Sequence, residues 1–225
     1  MSGKKPLVLI GNGEIAAMAF EYFTYDSDRE VAGFAIAPQY IDGDSFCDRP
    51  LVPLNQIEAR FPPTLVDAFV AIGDAQLNRV RRGHFDDMRA RGYQLASYVS
   101  SKAFVWRDVT IGDNCFILEH NVLQPFVSIG DNVTLWSGNH IGHRSVIEDN
   151  VFMSSHVVVS GFCRIGANSF LGVNAAIAHQ VKIAEDNYIA MGTMITASTE
   201  ADRIYQGNPA EARKIPAKRF CRVRD

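Results

Sequence analysis

Two histidines three residues apart, His140 and His143, have the type and spacing that most directly suggest chemistry in this sequence. They lie in LWSGNHIGHRSVIE, residues 135–148, which has neither a helical face nor strict alternation of polar and apolar residues. An imidazole can bind a metal ion, fill a core or move protons. Metal binding would favour an HxxxH pair on a helix or a third ligand nearby, and this stretch has neither. We therefore predict no metal site, and the remaining roles depend on the elements that position the two rings.

Composition and charge indicate an ordinary globular protein. The chain has 225 residues, a net charge of −3 at pH 7 and a pI near 6.1. Because Lys and Arg form no long basic run, we expect no nucleic-acid partner and no attraction to an acidic membrane. The apolar N-terminus is interrupted by GNGE and no later stretch approaches a membrane span, which predicts a cytoplasmic protein. Four cysteines lie far apart without a CxxC pair, which favours neither disulfides nor structural zinc.

Strand and helix patterns alternate over residues 1–100. Short apolar runs predict strands at 6–11, 29–37, 67–74 and 93–100. Helical patterns lie between them, at 14–23, 51–61 and 75–92. This alternation predicts an α/β, Rossmann-like domain with a small parallel sheet.

The first strand-to-helix turn of that domain, GNGEIA, has the form GxGxxG/A. Gly11, Asn12 and Gly13 could let bare backbone N–H groups approach a phosphate. A dinucleotide site would also need an acidic residue at the end of the second strand, and the sequence there is Ala37-Pro38. We therefore expect a phosphate-bearing ligand other than NAD.

A six-residue repeat replaces this pattern from residue 101. Every sixth residue from Val105 to Ile195 is aliphatic or Met, sixteen positions without interruption, and a small or β-branched residue or Asn stands two places before each. A period of six fits neither the 3.6-residue period of a helix nor the irregular turns of hairpins. It predicts a parallel β-solenoid with three hexapeptides per coil, in which both columns point inward and residues 18 apart stack.

The repeat frame places the two histidines outside the core. His140 immediately precedes an inward aliphatic residue and His143 lies in the next turn, so both are expected to point outward. Cys115 and Cys163 fall in the small inward column and are expected to fill the core. The change of pattern predicts three parts: a Rossmann-like domain at 1–100, the solenoid at 101–200 and a C-terminal loop or cap at 201–225.

The hexapeptides IGDNCF, IGDNVT, IGHRSV, IGANSF and LGVNAA resemble those of the left-handed β-helix acyltransferases. With GNGEIA in front and YQGNPAEARKI behind, the chain is similar over about residues 6–218 to the NeuD-type sialic-acid O-acetyltransferases and related nucleotide-sugar N-acetyltransferases. These enzymes belong to bacterial surface-glycan pathways such as lipopolysaccharide biosynthesis. The resemblance implies a left-handed winding and a homotrimer that uses acetyl-CoA between neighbouring β-helices.

The resemblance implies that His143 is the general base and that the acceptor attacks the thioester directly. No acyl-enzyme is expected, because the solenoid cysteines point inward and Cys47 and Cys221 lie outside the solenoid. Relatives often have a carboxylate directly after this histidine, where this chain has Arg144. Glu119, at the same repeat phase at a neighbouring corner, could approach from another subunit and orient the imidazole.

The acceptor that the resemblance implies is an amino or hydroxyl group of a sugar. The resemblance also implies that the sugar is linked to a nucleotide, which the first domain would bind. Relatives that bind a uridine nucleotide carry acidic residues just after the second strand, whereas here the acidic residues come only at Asp42 and Asp44. The identity of the nucleotide therefore stays open. The residues expected to contact this substrate are Gly11, Asn12, Gly13, Asn139 and His140.

The stacking interval of 18 residues places Gly161 directly above His143. A position without a side chain there could leave a notch through which pantetheine reaches the imidazole, with a backbone N–H to receive the oxyanion. Alternatively, Gly161 only relaxes a turn. The further acetyl-CoA contacts expected on later coils are Asn174, His179 and Gly192.

A function of another class also fits the repeat. A solenoid that keeps its core and loses its chemistry would be a non-catalytic trimeric scaffold. Such a scaffold would not bind CoA, so CoA binding distinguishes it from an acyltransferase.

Overall fold

The computed structural model describes residues 5–208 and 211–224, and the chain divides into two compact units. One unit contains Met1–Gly73 and Arg81–Tyr98, and the other contains Asp74–Val80 and Val99–Asp225. None of the helices in the described part of the chain combines the length and the apolar character that a membrane crossing requires.

The first unit is built on a five-stranded sheet with the order β3-β4-β2-β1-β5. Its strands are β1 (Lys5–Ile10), β2 (Arg29–Ile36), β3 (Ser45–Phe46), β4 (Arg49–Pro53) and β5 (Asp67–Val70). Its α-helices are α1 (Glu14–Tyr25), α2 (Ile57–Arg60) and α3 (Arg79–Ala90), whose first two residues belong to the second unit, and 3-10 turns lie at Pro38–Tyr40 and Leu54–Gln56. Residues 7–10 of β1 are fully buried, as expected for a parallel strand covered on both faces.

Two parts of this unit differ from the sequence prediction. The helix predicted over 51–61 begins late, because Pro53 disfavours a helical conformation for the residue before it, and strand β4 occupies 49–53 instead. Strand β3 pairs antiparallel with β4, so the sheet is mixed at that edge. The strand predicted over 93–100 is reduced to a bridge at Leu95 and to Tyr98–Val99.

The second unit contains a parallel β-helix of two-residue strands joined by four-residue turns. Strands 18 residues apart pair in register, so that Val122 pairs with His140 and His140 with Val158. Three sheets result, which we call faces 1, 2 and 3 in the order in which each coil visits them.

The strands of each face follow the repeat. Face 1 contains Tyr98–Val99, Phe116–Ile117, Thr134–Leu135, Phe152–Met153, Phe170–Leu171, Tyr188–Ile189, Ile204–Gln206 and Glu211–Ala212. Face 2 contains Phe104–Val105, Val122–Leu123, His140–Ile141, Val158–Val159, Ala176–Ile177 and Met194–Ile195. Face 3 contains Thr110–Ile111, Ser128–Ile129, Val146–Ile147, Arg164–Ile165 and Lys182–Ile183. A last helix, α4 (Ala217–Phe220), follows the β-helix.

The predicted inward columns form the core of the β-helix. From Ile117 to Ile195 every aliphatic residue of the six-residue series is at most 2% exposed, and only Val105 and Ile111 in the first coil are less buried. Each fully buried aliphatic side chain contributes about 1.5–3 kcal/mol. Cys115 and Cys163 are buried in the small column, as predicted.

Three corners join the faces. The first corner, between faces 1 and 2, includes the turns 118–121, 136–139, 154–157, 172–175 and 190–193. The second, between faces 2 and 3, includes 124–127, 142–145, 160–163 and 178–181. The third, between face 3 and the next face 1, includes 112–115, 130–133, 148–151, 166–169 and 184–187.

Candidate functional site

The outward side chains of the three faces differ in burial and polarity. On face 1, Phe116 and Phe152 are buried. Face 3 presents charged side chains such as Lys182. Face 2 presents apolar side chains that are open to solvent, including Phe104 at 52% exposure and Val158 at 45%. A bare apolar stripe of this kind is typical of an interaction surface.

His143 lies at the second corner, on one edge of face 2, with its side chain exposed. Its backbone N–H donates to Oε1 of Gln124 at 2.9 Å, and the same oxygen lies 3.2 Å from the imidazole Nδ1. The ring of Phe162 meets the imidazole edge-on, with centroids 5.2 Å apart. An exposed imidazole held at its backbone and flanked by an aromatic ring is suited to proton transfer.

Two other predicted residues lie in the same column of the second corner. Gly161 is buried against His143, since a Cβ at Gly161 would lie 2.5 Å from Cε1 of the ring. His179 is exposed one coil further, with its ring centroid 6.3 Å from that of His143. The structure thus brings His143, Gly161 and His179 together.

Backbone strain distinguishes the second corner from the third. Each turn contains a residue with φ near +60°, and at the third corner all five of these are Asn or Asp, which tolerate that conformation. At the second corner the same positions hold Phe126, Arg144, Phe162 and Gln180. Such strained residues concentrate at functional sites, where the side chain is needed in spite of its backbone cost.

Arg144 occupies the position that follows the candidate base. Its guanidinium carbon lies 4.2 Å from the centroid of the Phe126 ring, one coil earlier, which is a cation–π contact. The residue after His143 is therefore engaged with a ring rather than serving as an acidic partner.

The remaining predicted residues of the β-helix lie away from His143, along the first corner. Glu119 accepts a hydrogen bond from Oγ of Ser137 at 2.6 Å. Asn174 and Gly192 are exposed and occupy left-handed turn positions, where Asn and Gly are favoured for backbone reasons alone. Within one chain, Glu119 therefore does not orient the imidazole, and its role from another subunit stays a prediction.

Asn139 does not fit the substrate contact that the sequence analysis expected. It is fully buried, its amide donates to the carbonyl of Trp136, and its Oδ1 accepts the N–H of Val157 at 2.7 Å. These bonds stabilise the turn from inside, so the side chain is not available to a ligand. His140 lies on face 2 between Val122 and Val158 and is partly exposed.

A cavity of about 400 Å³ lies beside the first corner, on the face 1 side. Its apolar wall includes Trp136, Phe152 and Phe170, and its polar lining includes Asp74 and Ser154. The indole Nε1 of Trp136 is buried without a hydrogen-bond partner in the described part of the chain. The six-residue repeat alone does not predict this cavity. The outward positions of face 1 nevertheless hold large aromatic residues at intervals of 18, with the exception of Thr134.

The predicted phosphate turn lies in the first unit, between β1 and α1. Gly11 has φ +133°, and a Cβ there would lie 2.7 Å from the carbonyl oxygen of Ala71, so only glycine fits. Gly13 is the N-cap of α1, without a side-chain cap, and Asn12 donates to the carbonyl of Tyr40 at 3.3 Å. Bare N–H groups at the start of a helix can bind an anion.

Family models match the β-helix region. A model of the bacterial transferase hexapeptide with six repeats matches residues 108–143 and 126–161, and a model of the succinyl-transferase hexapeptide repeat matches 163–197. A comparison with curated protein sequences finds no significant match.

Three solved structures share the architecture over nearly their whole length. The acetyltransferase domain of PglB from Neisseria gonorrhoeae is 22% identical, with a TM-score of 0.82, over 92% of this chain and 99% of that chain. A mutant of perosamine N-acetyltransferase from Caulobacter crescentus, in complex with CoA and GDP-perosamine, is 21% identical with a TM-score of 0.84, over 92% of this chain and 96% of that chain. WeeI from Acinetobacter baumannii is 19% identical with a TM-score of 0.70, over 92% and 98%.

At these identities the likeness establishes the fold. The chain is an α/β, Rossmann-like unit followed by a left-handed parallel β-helix of hexapeptide repeats, which confirms the predicted fold class and the predicted resemblance.

Proposed function

We propose that the protein transfers an acetyl group from acetyl-CoA to an amino or hydroxyl group of a nucleotide-linked sugar in bacterial surface-glycan biosynthesis. The observation that carries this proposal is the exposed imidazole of His143 at a β-helix corner, with Gly161 against the ring. The similar structures support the ligands, since one contains acetyl-CoA and another contains CoA with the amino-sugar nucleotide GDP-perosamine. We also propose that the reaction takes place in the cytoplasm.

His143 is proposed as the general base of a direct transfer. As the acceptor nitrogen or oxygen bonds to the thioester carbon, its proton passes to the imidazole. The C–S bond then breaks, and the departing CoA thiolate takes the proton back from the imidazolium. General-base catalysis of this kind contributes about 10²–10⁴ in rate.

We also propose a homotrimer that packs through face 2. Exposed apolar residues such as Phe104, Val158 and Met194 would be removed from water in that contact. Face 2 is bounded by the first corner on one side and the second on the other. Copies packed on this face would therefore place the cavity of one chain beside His143 of another, and we propose that CoA lies between them, near Asn174, His179 and Gly192.

The first unit is proposed to bind the nucleotide. The turn formed by Gly11, Asn12 and Gly13 offers backbone N–H groups at the N-terminus of the twelve-residue helix α1. A phosphate group is the ligand that such groups favour.

Three experiments test the proposed function. Purified protein with acetyl-CoA should release free thiol in the presence of at least one member of a panel of amino-sugar nucleotides, with the matching hydroxyl sugars as comparison. A calorimetric titration should show saturable binding of CoA, whereas the scaffold alternative predicts none. His143→Asn should lower turnover by about 10²–10⁴ while leaving CoA affinity and oligomeric state unchanged. Near-normal turnover of that variant would refute the assignment of the base.

A further inference from the structure

The contact between Gln124 and His143 determines which imidazole nitrogen is protonated. A backbone N–H can only donate, so the side-chain atom of Gln124 that lies 2.9 Å from the N–H of His143 must be the amide oxygen. The same oxygen lies 3.2 Å from Nδ1 of the ring. If Nδ1 were unprotonated, two acceptors would face each other. In the neutral ring the proton therefore belongs on Nδ1, where it can be donated to the amide oxygen.

The other ring nitrogen is then the basic one. Nε2 carries the lone pair. Gly161 leaves the ring beside it uncovered, since a Cβ at Gly161 would lie 2.5 Å from Cε1 and 2.7 Å from Nε2. When Nε2 takes up a proton, Nδ1 keeps its own proton and its bond to Gln124. The contact therefore holds the ring in the same position before and after proton transfer.

We infer that Gln124 is a positioning residue that holds neutral His143 in the Nδ1–H form and leaves Nε2 free to accept a proton. The inference rests on the proposed function for the origin of that proton, whereas the tautomer is a property of the resting protein. The orienting role that was expected for a carboxylate such as Glu119 thus belongs to the amide of Gln124. Glu119 bonds to Ser137 and Arg144 stacks on Phe126 instead.

The β-helix provides a matched control for the structural part of this contact. Oε2 of Glu148 accepts the N–H of Ala167 at 2.9 Å, at the same spacing of 19 residues but at the third corner. Glu148 also forms an ion pair with Arg164. Glu148→Leu thus removes an equivalent side-chain bond to a turn, at a corner that does not contain His143.

The test compares Gln124→Leu, Gln124→Glu and Glu148→Leu with the wild-type protein. In ¹⁵N-labelled protein without ligands, two-bond ¹⁵N–¹H spectra at a pH where the ring is neutral should show His143 as the Nδ1–H form. Gln124→Leu should shift it toward the Nε2–H form. The same variant should lower kcat by about 10-fold or more with little change in KM. Glu148→Leu should leave both the tautomer of His143 and kcat unchanged.

Gln124→Glu should restore the tautomer, because a carboxylate accepts both hydrogen bonds. The added negative charge should also move the acidic limb of the kcat/KM profile to higher pH, because it favours the imidazolium. A wild-type ring in the Nε2–H form would overturn the inference, as would an unchanged tautomer and kcat in Gln124→Leu. If the tautomer is as expected but His143→Asn stays active, the proposed function fails while the positioning contact stands.

Discussion

The backbone of Gly161 lies against the imidazole of His143, so closely that no side chain fits between them. A Cβ at Gly161 would be 2.5 Å from Cε1, 2.7 Å from Nε2 and 3.0 Å from Nδ1. Gly161 is not among the residues with positive φ, so its backbone conformation does not explain why glycine occupies this position. The missing side chain makes room for the ring itself, in addition to any passage for a ligand.

Gly161→Ala should therefore displace the imidazole without unfolding the β-helix. The clash is with the end of a side chain that can rotate, and a displacement of about 1 Å at a reacting group can cost roughly 10²-fold in rate. We expect kcat to fall by about that factor, with circular dichroism and melting temperature close to wild type.

The control is the double variant Gly161→Ala with His143→Asn. If Gly161 acts through the ring, the alanine should cause no further loss of turnover when the ring is absent. An equal loss in both backgrounds would mean that Gly161 serves the ligand path instead.

The inward columns of the β-helix could be predicted from sequence because burial follows the period of six directly. Ile117, Ile141 and Ile177 occupy the six-residue series of inward positions and are buried, as predicted. The same six-residue frame predicted that His140 and His143 point outward. Stacking at intervals of 18 residues also placed Gly161 next to His143.

The Gln124 contact could not be predicted in that way. Stacking places Pro125 in the column of His143, and Gln124 reaches the ring only because its longer side chain spans an offset of 19 residues. Asn139 was misassigned because Asn serves both as a ligand group and as an internal turn bond, which only burial and bonding separate. The strain at Phe162 is likewise a backbone property that residue type does not reveal.

Val158→Asp should break the proposed homotrimer. Val158 is 45% exposed on face 2, and a carboxylate there would lose its hydration if copies packed on that face. Sedimentation should show a trimer for the wild-type protein and a smaller species for the variant, with acetyl transfer lost because the site is incomplete. Lys182→Asp on the polar face 3 should change neither. A monomeric variant with full activity would contradict a site shared between chains.

The cysteines should prove dispensable for transfer. Burial, followed by Asp74 and Asp202, raises the pKa of Cys221 to about 11, and burial also raises the pKa of Cys47 and Cys163. Since the thiolate is the nucleophile, these thiols are almost wholly protonated and unreactive near pH 7. Alkylation of Cys221 should therefore accelerate as pH rises toward 11, and Cys47→Ser with Cys221→Ser should keep kcat. A trapped acetyl-cysteine during turnover would instead show a covalent route.

Phe162→Asn should stabilise the fold and impair the site. Phe162 has φ +60°, a conformation that costs most residues about 1–2 kcal/mol and that Asn tolerates, and its side chain is 46% exposed, so little burial is lost. We expect the free energy of unfolding to rise by roughly 1 kcal/mol. We also expect kcat to fall, because the ring that contacts both His143 and His179 is removed.

Gln180→Asn makes the same backbone exchange one coil further along the same corner, at φ +61°. It should give a similar stabilisation, measured by denaturant unfolding, with kcat unchanged. If both variants were stabilised and fully active, Phe162 would not contribute to the site. If Phe162→Asn were less stable than wild type while Gln180→Asn was more stable, the packing of the phenyl ring against the two imidazoles would outweigh the strain of its backbone.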